Sequence, residues 1–470
     1  MNRLGKLPVE VLEDIICLAM LPGTSGTAGK MASVNSLWQN IVESKNFQQL
    51  RLGVEDIPAA MEILRNRPER FCLVRLIVFS VVLPVYSAAD CRNLESPQDR
   101  FNNDIVFSKS MNVLLTHLSQ WPSTGRTLEL QLSAFSPTDA RCLMGNRWVR
   151  YWYGVVPGDI LHNRTYGAAL ELYGKTDKLI PAVTKLTLRD DCERYIAVSG
   201  FECLFRAFTG LRDMDLRHWD LYKHSPDSVR RSNRRRMAKA LEQMPDSVGS
   251  MRFNVVYYPP ADQSFQGQRT CEGDDESDPL TVAYRNATQR MTVVDVHGML
   301  GTPELFWPKK VTAVNPAPFW PNLKYIELHY HILEPTGEWL FERDRHAGAR
   351  HQADLPFFDL PADLTPEEDV RPMQNRYTAN QDKMDDFYYA VAKAVANMPK
   401  LEHLRAQAIT YWTGNIAPFH VFKFTIDGRM GSATWSGMPP FEPSVDVLKA
   451  WRKMAYERGL FLSLESKYSE

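Results

Sequence analysis

The chain has 470 residues, 44% hydrophobic and 24% charged, enough to bury a large core and to hold one small module plus one or two larger units. Its 55 Lys and Arg nearly balance 56 Asp and Glu, so no net field argues for nucleic acid or an anionic membrane as partner. Glu10, Glu13 and Asp14 interrupt the first apolar segment and exclude a secretory leader, while the longest apolar run, IVFSVVLPVYSAA, is too short for a membrane span and contains Pro84. Seven cysteines without a CxxC pair suit reduced thiols in a reducing compartment. The expected location is therefore cytoplasmic and/or nuclear, with no disulfide framework, no metal and no cofactor.

The first predicted element is a helix that starts at Pro8, where the first turn needs no N–H donor and φ is preset. Val11, Leu12, Ile15, Ile16 and Ala19 recur at helical spacing until Pro22 and Gly23 stop the run. A second helix is predicted from an N-cap at Ser33, with Val34, Leu37, Trp38, Ile41 and Val42 on one broad apolar face. Helices this short are marginal in water alone, so both stripes need either the rest of the chain or a partner protein. The connector GTSGTAGK looks like a phosphate-binding loop, but Thr24 stands where a glycine is needed and Met31 where magnesium needs Ser or Thr. It reads as a flexible loop.

Together LPVEVLEDII and SVNSLWQNIVESKNFQQLRL resemble an F-box, a helical module that joins a substrate receptor to the Skp-type adaptor of a cullin-RING ubiquitin ligase. The resemblance covers residues 1–52 and departs from the family in its long, Gly-rich connector. It implies that Leu7, Pro8, Val11, Leu12, Ile15, Ile16, Val34, Trp38 and Ile41 form the adaptor-facing surface and the small core behind it. It further implies a cullin partner through the adaptor, a protein client, and no catalysis by this chain. On the residues alone, an ordinary helical pair packed on its own domain is the alternative.

Beyond residue 53 a unit recurs: amphipathic helix, tight turn, short LxxLxL strand. MAKALEQMPDSVGSMRF (237–253) and VAKAVANMPKLEHLRA (391–406) are its clearest copies. Looser copies are MNVLLTHLSQWPSTGRTLELQL (111–132) and CLFRAFTGLRDMDLR (203–217), with strand pieces AVTKLTLRD and PNLKYIELHYH. At this apolar content LxxLxL recurs by chance, so the argument rests on its position after a helix and a Pro-containing turn, as in stacked repeats that share a core. The fold class is therefore α/β: an all-α F-box followed, over 53–470, by a degenerate, insertion-rich solenoid similar to leucine-rich repeats. A compact irregular α/β domain is the alternative. Polar stretches at about 259–280 and 343–380 are predicted loop insertions. HVFKFTIDGRMGSATWSG predicts a hairpin turning at Asp427-Gly428, and Ser444 and Gly459 should cap a final helix before the strand-like LFLSL.

If those strands stack, their non-apolar residues form one exposed face. Lys185, Arg189, Asp213, Asp215, Arg217, Arg252, Glu327, His329, His331 and Arg405 are its candidate client-binding residues. Glu327, His329 and His331 share one strand face, but lack a fourth ligand and HExxH-type spacing, so no metal is assigned. The densest basic cluster, Arg230, Arg231, Arg234, Arg235, Arg236 and Lys239, reads as a solvated helix start, with phosphopeptide contact or nuclear import as alternatives. No nucleophile elbow, kinase signature or dinucleotide fingerprint is present. A ubiquitin-ligase substrate receptor is the leading expectation; a non-ubiquitinating scaffold and an enzyme with an unrecognised pocket are the alternatives.

Overall fold

The structure, a computed structural model, describes residues 9–19, 27–87, 90, 93–122, 125–139, 169–174, 177–188, 194–220, 227–256, 267, 269–271, 277–298, 301–313, 315–342, 376, 378–409 and 419–468. Among them, β1 (Gln49–Leu52), β2 (Leu76–Val82), β3 (Leu128–Phe135), β4 (Val183–Leu188), β5 (Asp213–Trp219), β6 (Ser250–Val256), β7 (Val293–Gly298) and β8 (Tyr325–His331) lie side by side in chain order, each parallel to the next. The sheet continues through parallel β11 (His403–Ile409), the antiparallel hairpin β12 (Phe419–Asp427) and β13 (Met430–Met438), and β14 (Phe461–Tyr468), parallel to β13. A separate short pair joins β9 (Phe341–Glu342) to β10 (Thr378–Ala379).

Parallel neighbours cannot be joined by a tight turn, so the chain must cross over between them. The crossovers carry α4 (Ile57–Arg65), α5 (Pro97–Leu118), α6 (Val198–Ala207), α7 (Asp227–Glu242), α8 (Pro279–Thr288), α9 (Pro303–Phe306), α10 (Gln381–Ala396) and α11 (Val445–Arg458), and from α6 onward each helix touches the next. The strands alternate between buried apolar residues and partly exposed polar ones, as along Leu128, Leu130, Leu132 and Ala134. One sheet face is thus covered by helices and the other is left to solvent. Met237, Leu241 and Met244, like Met384, Phe387, Val391 and Val395, are buried in the same core as Met251, Phe253, Leu401 and Leu404.

The predicted hairpin turns at Gly428, whose φ of 58° suits glycine, and Ser444 caps α11 by accepting from the Val447 N–H. Of the two predicted insertions, most of 343–380 and much of 259–280 lie outside the described residues. No helix among the described residues is long and apolar enough to cross a membrane.

At the N-terminal end, α1 (Val9–Ala19), α2 (Thr27–Ala32) and α3 (Ser36–Asn46) enclose a small core of Leu12, Ile16, Ile41 and Val42, separate from the main one. Two expectations are corrected here. The second half of the connector, read as a flexible loop, forms α2, and the cap of the next helix is Asn35, whose Oδ1 accepts from the Trp38 N–H at 3.0 Å, so Ser33 and Val34 lie in the turn before it. Sequence periodicity could not choose between two adjacent polar caps. α3 is tied to the body by Glu43, which receives both Nε (3.1 Å) and Nη2 (2.6 Å) of Arg70. The Arg70 guanidinium holds the Glu43 carboxyl below its ordinary range.

Candidate functional site: the open sheet face and the helical outpost

Strand register brings the predicted client-binding residues together. One row across the open face runs Gln131, Thr187, Asp215, Arg252, Asp295, Glu327, Arg405, Lys423 and Thr434. Neighbouring rows place Glu129, Lys185 and Asp213 on one side and Arg217, Asn254, His297, His329 and Gln407 on the other. Opposite charges meet directly: Arg252 Nε lies 2.6 Å from Asp295 Oδ2, with Asp215 at 3.8 Å on its other flank. Arg405 Nη1 and His329 Nε2 share Glu327 Oε1 at 2.9 and 3.1 Å. Lys185 meets Glu129 at 3.1 Å.

These contacts set the local electrostatics. Although partial burial opposes it, hydrogen bonds from His297 and Arg252 hold the Asp295 carboxyl below its ordinary range, and Gln131, Lys185 and Thr187 do the same for Glu129. The His297 and His329 rings stack with centroids 4.2 Å apart, and burial together with that neighbour lowers the His329 pKa. The face is a zipper of paired charges, and it presents polarity more than net charge.

One predicted member of this face does not hold that place, and another is not described. Arg189 lies outside the described residues. His331 is only 4% exposed, and burial pushes its pKa down to about 4. It cannot join Glu327 and His329 at the surface, because the carboxyl ends of the central strands are closed over by the start of α7. There the predicted solvated cluster divides in two. Arg230 and Arg234 are fully buried: Arg230 Nη2 and Arg234 Nη1 both reach Asp220 Oδ2, at 2.8 and 2.5 Å, and Arg234 grips Asp278 with two bonds of 2.8 and 2.6 Å. Asp278 in turn caps α8, accepting from the Thr281 N–H at 2.9 Å. Arg231 is partly exposed, and Arg235, Arg236 and Lys239 stay at the surface. Helical spacing would have separated the two sets, since positions 230, 234, 237 and 241 share one stripe with the apolar Met237 and Leu241.

A similar closure occurs one unit earlier, where buried Arg194 pairs with Glu95 and with Asp139 at 3.3 Å. Sequence reading singles out none of the partners Asp220, Asp278, Glu95 or Asp139, because they are brought in by loops.

On the N-terminal helices, Leu7 and Pro8 lie outside the described residues. Leu12, Ile16 and Ile41 are buried in the small core and Trp38 packs on it, so these hold the helices together. Val11, Ile15 and Val34 face outward, 41%, 38% and 57% exposed, and Leu18 (68%) and Leu37 (40%) join them. Leu18 extends the Val11–Ile15 stripe at i+3 and was recoverable from the same periodicity. Compared with known proteins, the chain matches no protein-family model and no curated protein.

Proposed function

We propose that this protein is the substrate-recognition subunit of an SCF-type cullin-RING ubiquitin ligase, docking a Skp-type adaptor through α1–α3 and holding a protein client on the open sheet face. The supporting observation is the construction of α1–α3. Five outward apolar side chains, Val11, Ile15, Leu18, Val34 and Leu37, crown a module whose own core is already filled by four others. A helical outpost that leaves its second apolar face to solvent is built for a protein partner. In this reading the body is a solenoid similar to leucine-rich repeats, a view supported by strands that follow chain order with one face open. Its polar, charge-zipped surface suits an extended client segment read strand by strand.

The test is calorimetry of the full chain against a purified Skp-type adaptor. Ile15→Asp with Val34→Asp should weaken capture by at least about tenfold, since each side chain contributes roughly 1.5 kcal/mol or more when covered. Both positions face solvent, so the fold should survive. Unchanged affinity in the double variant, or no capture by the wild-type chain, would sink the assignment.

A further inference from the structure

A cavity of about 390 Å³ opens beyond the carboxyl end of β5, between the start of α6 and the first half of α7. That volume lies in the range of roughly 300–1,000 Å³ typical of small-ligand sites. Its apolar wall is Ile196, Val198 and Val229, with Trp219 beside them.

The polar groups are mostly donors. His218 borders the cavity, is 2% exposed and is bracketed by the Phe201 and Phe253 rings, each 6.4 Å away between centroids. Asn233 Nδ2 donates to the Trp219 carbonyl at 3.2 Å and stands 3.3 Å from His218 Nε2, which must then accept. The ring proton therefore sits on Nδ1, a buried atom without a hydrogen-bond partner. Burial keeps this imidazole neutral, its pKa pushed down to about 4. Ser232 and Arg236 line the α7 side, and Arg236 has no ion-pair partner among the described residues. On the α6 side the helix opens at Ala197, which has no capping side chain, and Glu171, the one carboxylate among the described lining residues, accepts from the Ser199 hydroxyl.

We propose that this cavity is a binding site for a small monocarboxylic acid with an apolar body, its carboxylate held by the Arg236 guanidinium and the Ser232 hydroxyl. A surplus of donors calls for an acceptor-rich anion. One guanidinium, Arg236, in a lining that also holds Glu171 and an apolar wall among the described residues, selects a monoanion with a hydrocarbon body over a phosphate dianion. The site is independent of the adaptor-docking helices.

The experiment titrates the full chain with hexanoate, hexanamide and inorganic phosphate, by calorimetry and ligand-observed NMR. Hexanoate should bind at least about tenfold more tightly than either of the others, the worth of one charge-assisted hydrogen bond. Arg236→Gln should erase that preference, and Val229→Trp should block hexanoate by filling the wall. Both positions are exposed on α7, so folding should be retained even where His218→Phe destabilises the chain. Adaptor capture should be the same in all variants, which separates failure here from failure of the ligase reading. Equal binding of hexanoate and hexanamide, tighter binding of phosphate, absence of hexanoate binding, or indifference to Val229→Trp would each overturn the proposal.

Discussion

Arg234 and Arg236 are two residues apart and opposite in fate. Arg234 is sealed among Asp220, Asp278 and the core, which raises its pKa further above the ordinary arginine value because two carboxylates outweigh the burial. Removing it takes the guanidinium from buried Asp278 and leaves Asp220 to Arg230. Loss of one partner of a buried pair typically costs about 3–5 kcal/mol, so Arg234→Ala should lower the free energy of unfolding by that order, read from urea denaturation. Arg236→Ala, at the surface, should stay within about 0.5 kcal/mol of wild type. If the two variants denature alike, the buried clamp does not contribute as its geometry indicates. The run RRSNRRR therefore carries two messages: two of its arginines are rivets between crossovers, and the remainder decorate α7.

At the scale of elements, what was legible in the sequence is what local rules govern. The helix-strand units around Met-Pro, the Asp427-Gly428 turn and the caps at Ser444 and Gly459 are present where the sequence places them, because each depends on a few adjacent residues. Reading for Pro-containing joints passes over α8 and β7, whose connection closes instead through the Met291 N–H to Thr288 carbonyl bond at 3.0 Å. It also understates α5, which begins fourteen residues upstream of Met111, at a capping box of Ser96 and Asp99. The open face was legible from period-two alternation, whereas the pairing of Arg252 with Asp295 was not, since register is a property of two strands. Pairing yields a prediction: Arg252→Glu places a third carboxylate beside Asp215 and Asp295. At a site this exposed the cost should be small, about 1 kcal/mol or less in thermal unfolding, and adding Asp295→Arg should recover it. Failure of the second change to restore stability would show that the row is not coupled. The same single variant should abolish client capture, by pull-down, if recognition lies on this row.

For the whole molecule, three deeply buried histidines are a main source of acid sensitivity. His218, His331 and His420 sit in the core, at the ends of β5 and β8 and in β12, each fully enclosed, and burial lowers each to about 4 from its ordinary value of 6.5. His420 is held beside Tyr388, 2.6 Å from its hydroxyl, among the rings of Phe341 and Phe441. A histidine lowered on folding binds its proton more weakly in the folded than in the unfolded chain. Between pH 6.5 and 4 the unfolded state therefore holds up to three more protons, and acid favours it. Each excess proton is worth about 1.4 kcal/mol per pH unit, so these three together favour unfolding by about 4 kcal/mol per unit near pH 5, offset in part by the Asp104, Glu304 and Glu334 carboxyls, whose pKa values burial raises. Well above pH 6.5, by about pH 7.5, these groups are neutral in both states and contribute almost no slope. The Asp220 carboxyl, lowered by Arg230 and Arg234 against its burial, adds a further loss as the pH falls below its ordinary range. Because all three histidines belong to the body, the loss should appear as one cooperative transition of the sheet, and His420→Gln should reduce the slope by about 1 kcal/mol per pH unit near pH 5. Urea unfolding of wild type and His420→Gln at pH 7, 6 and 5 checks this, and equal slopes in the two would show that this imidazole is reached by protons in the folded chain.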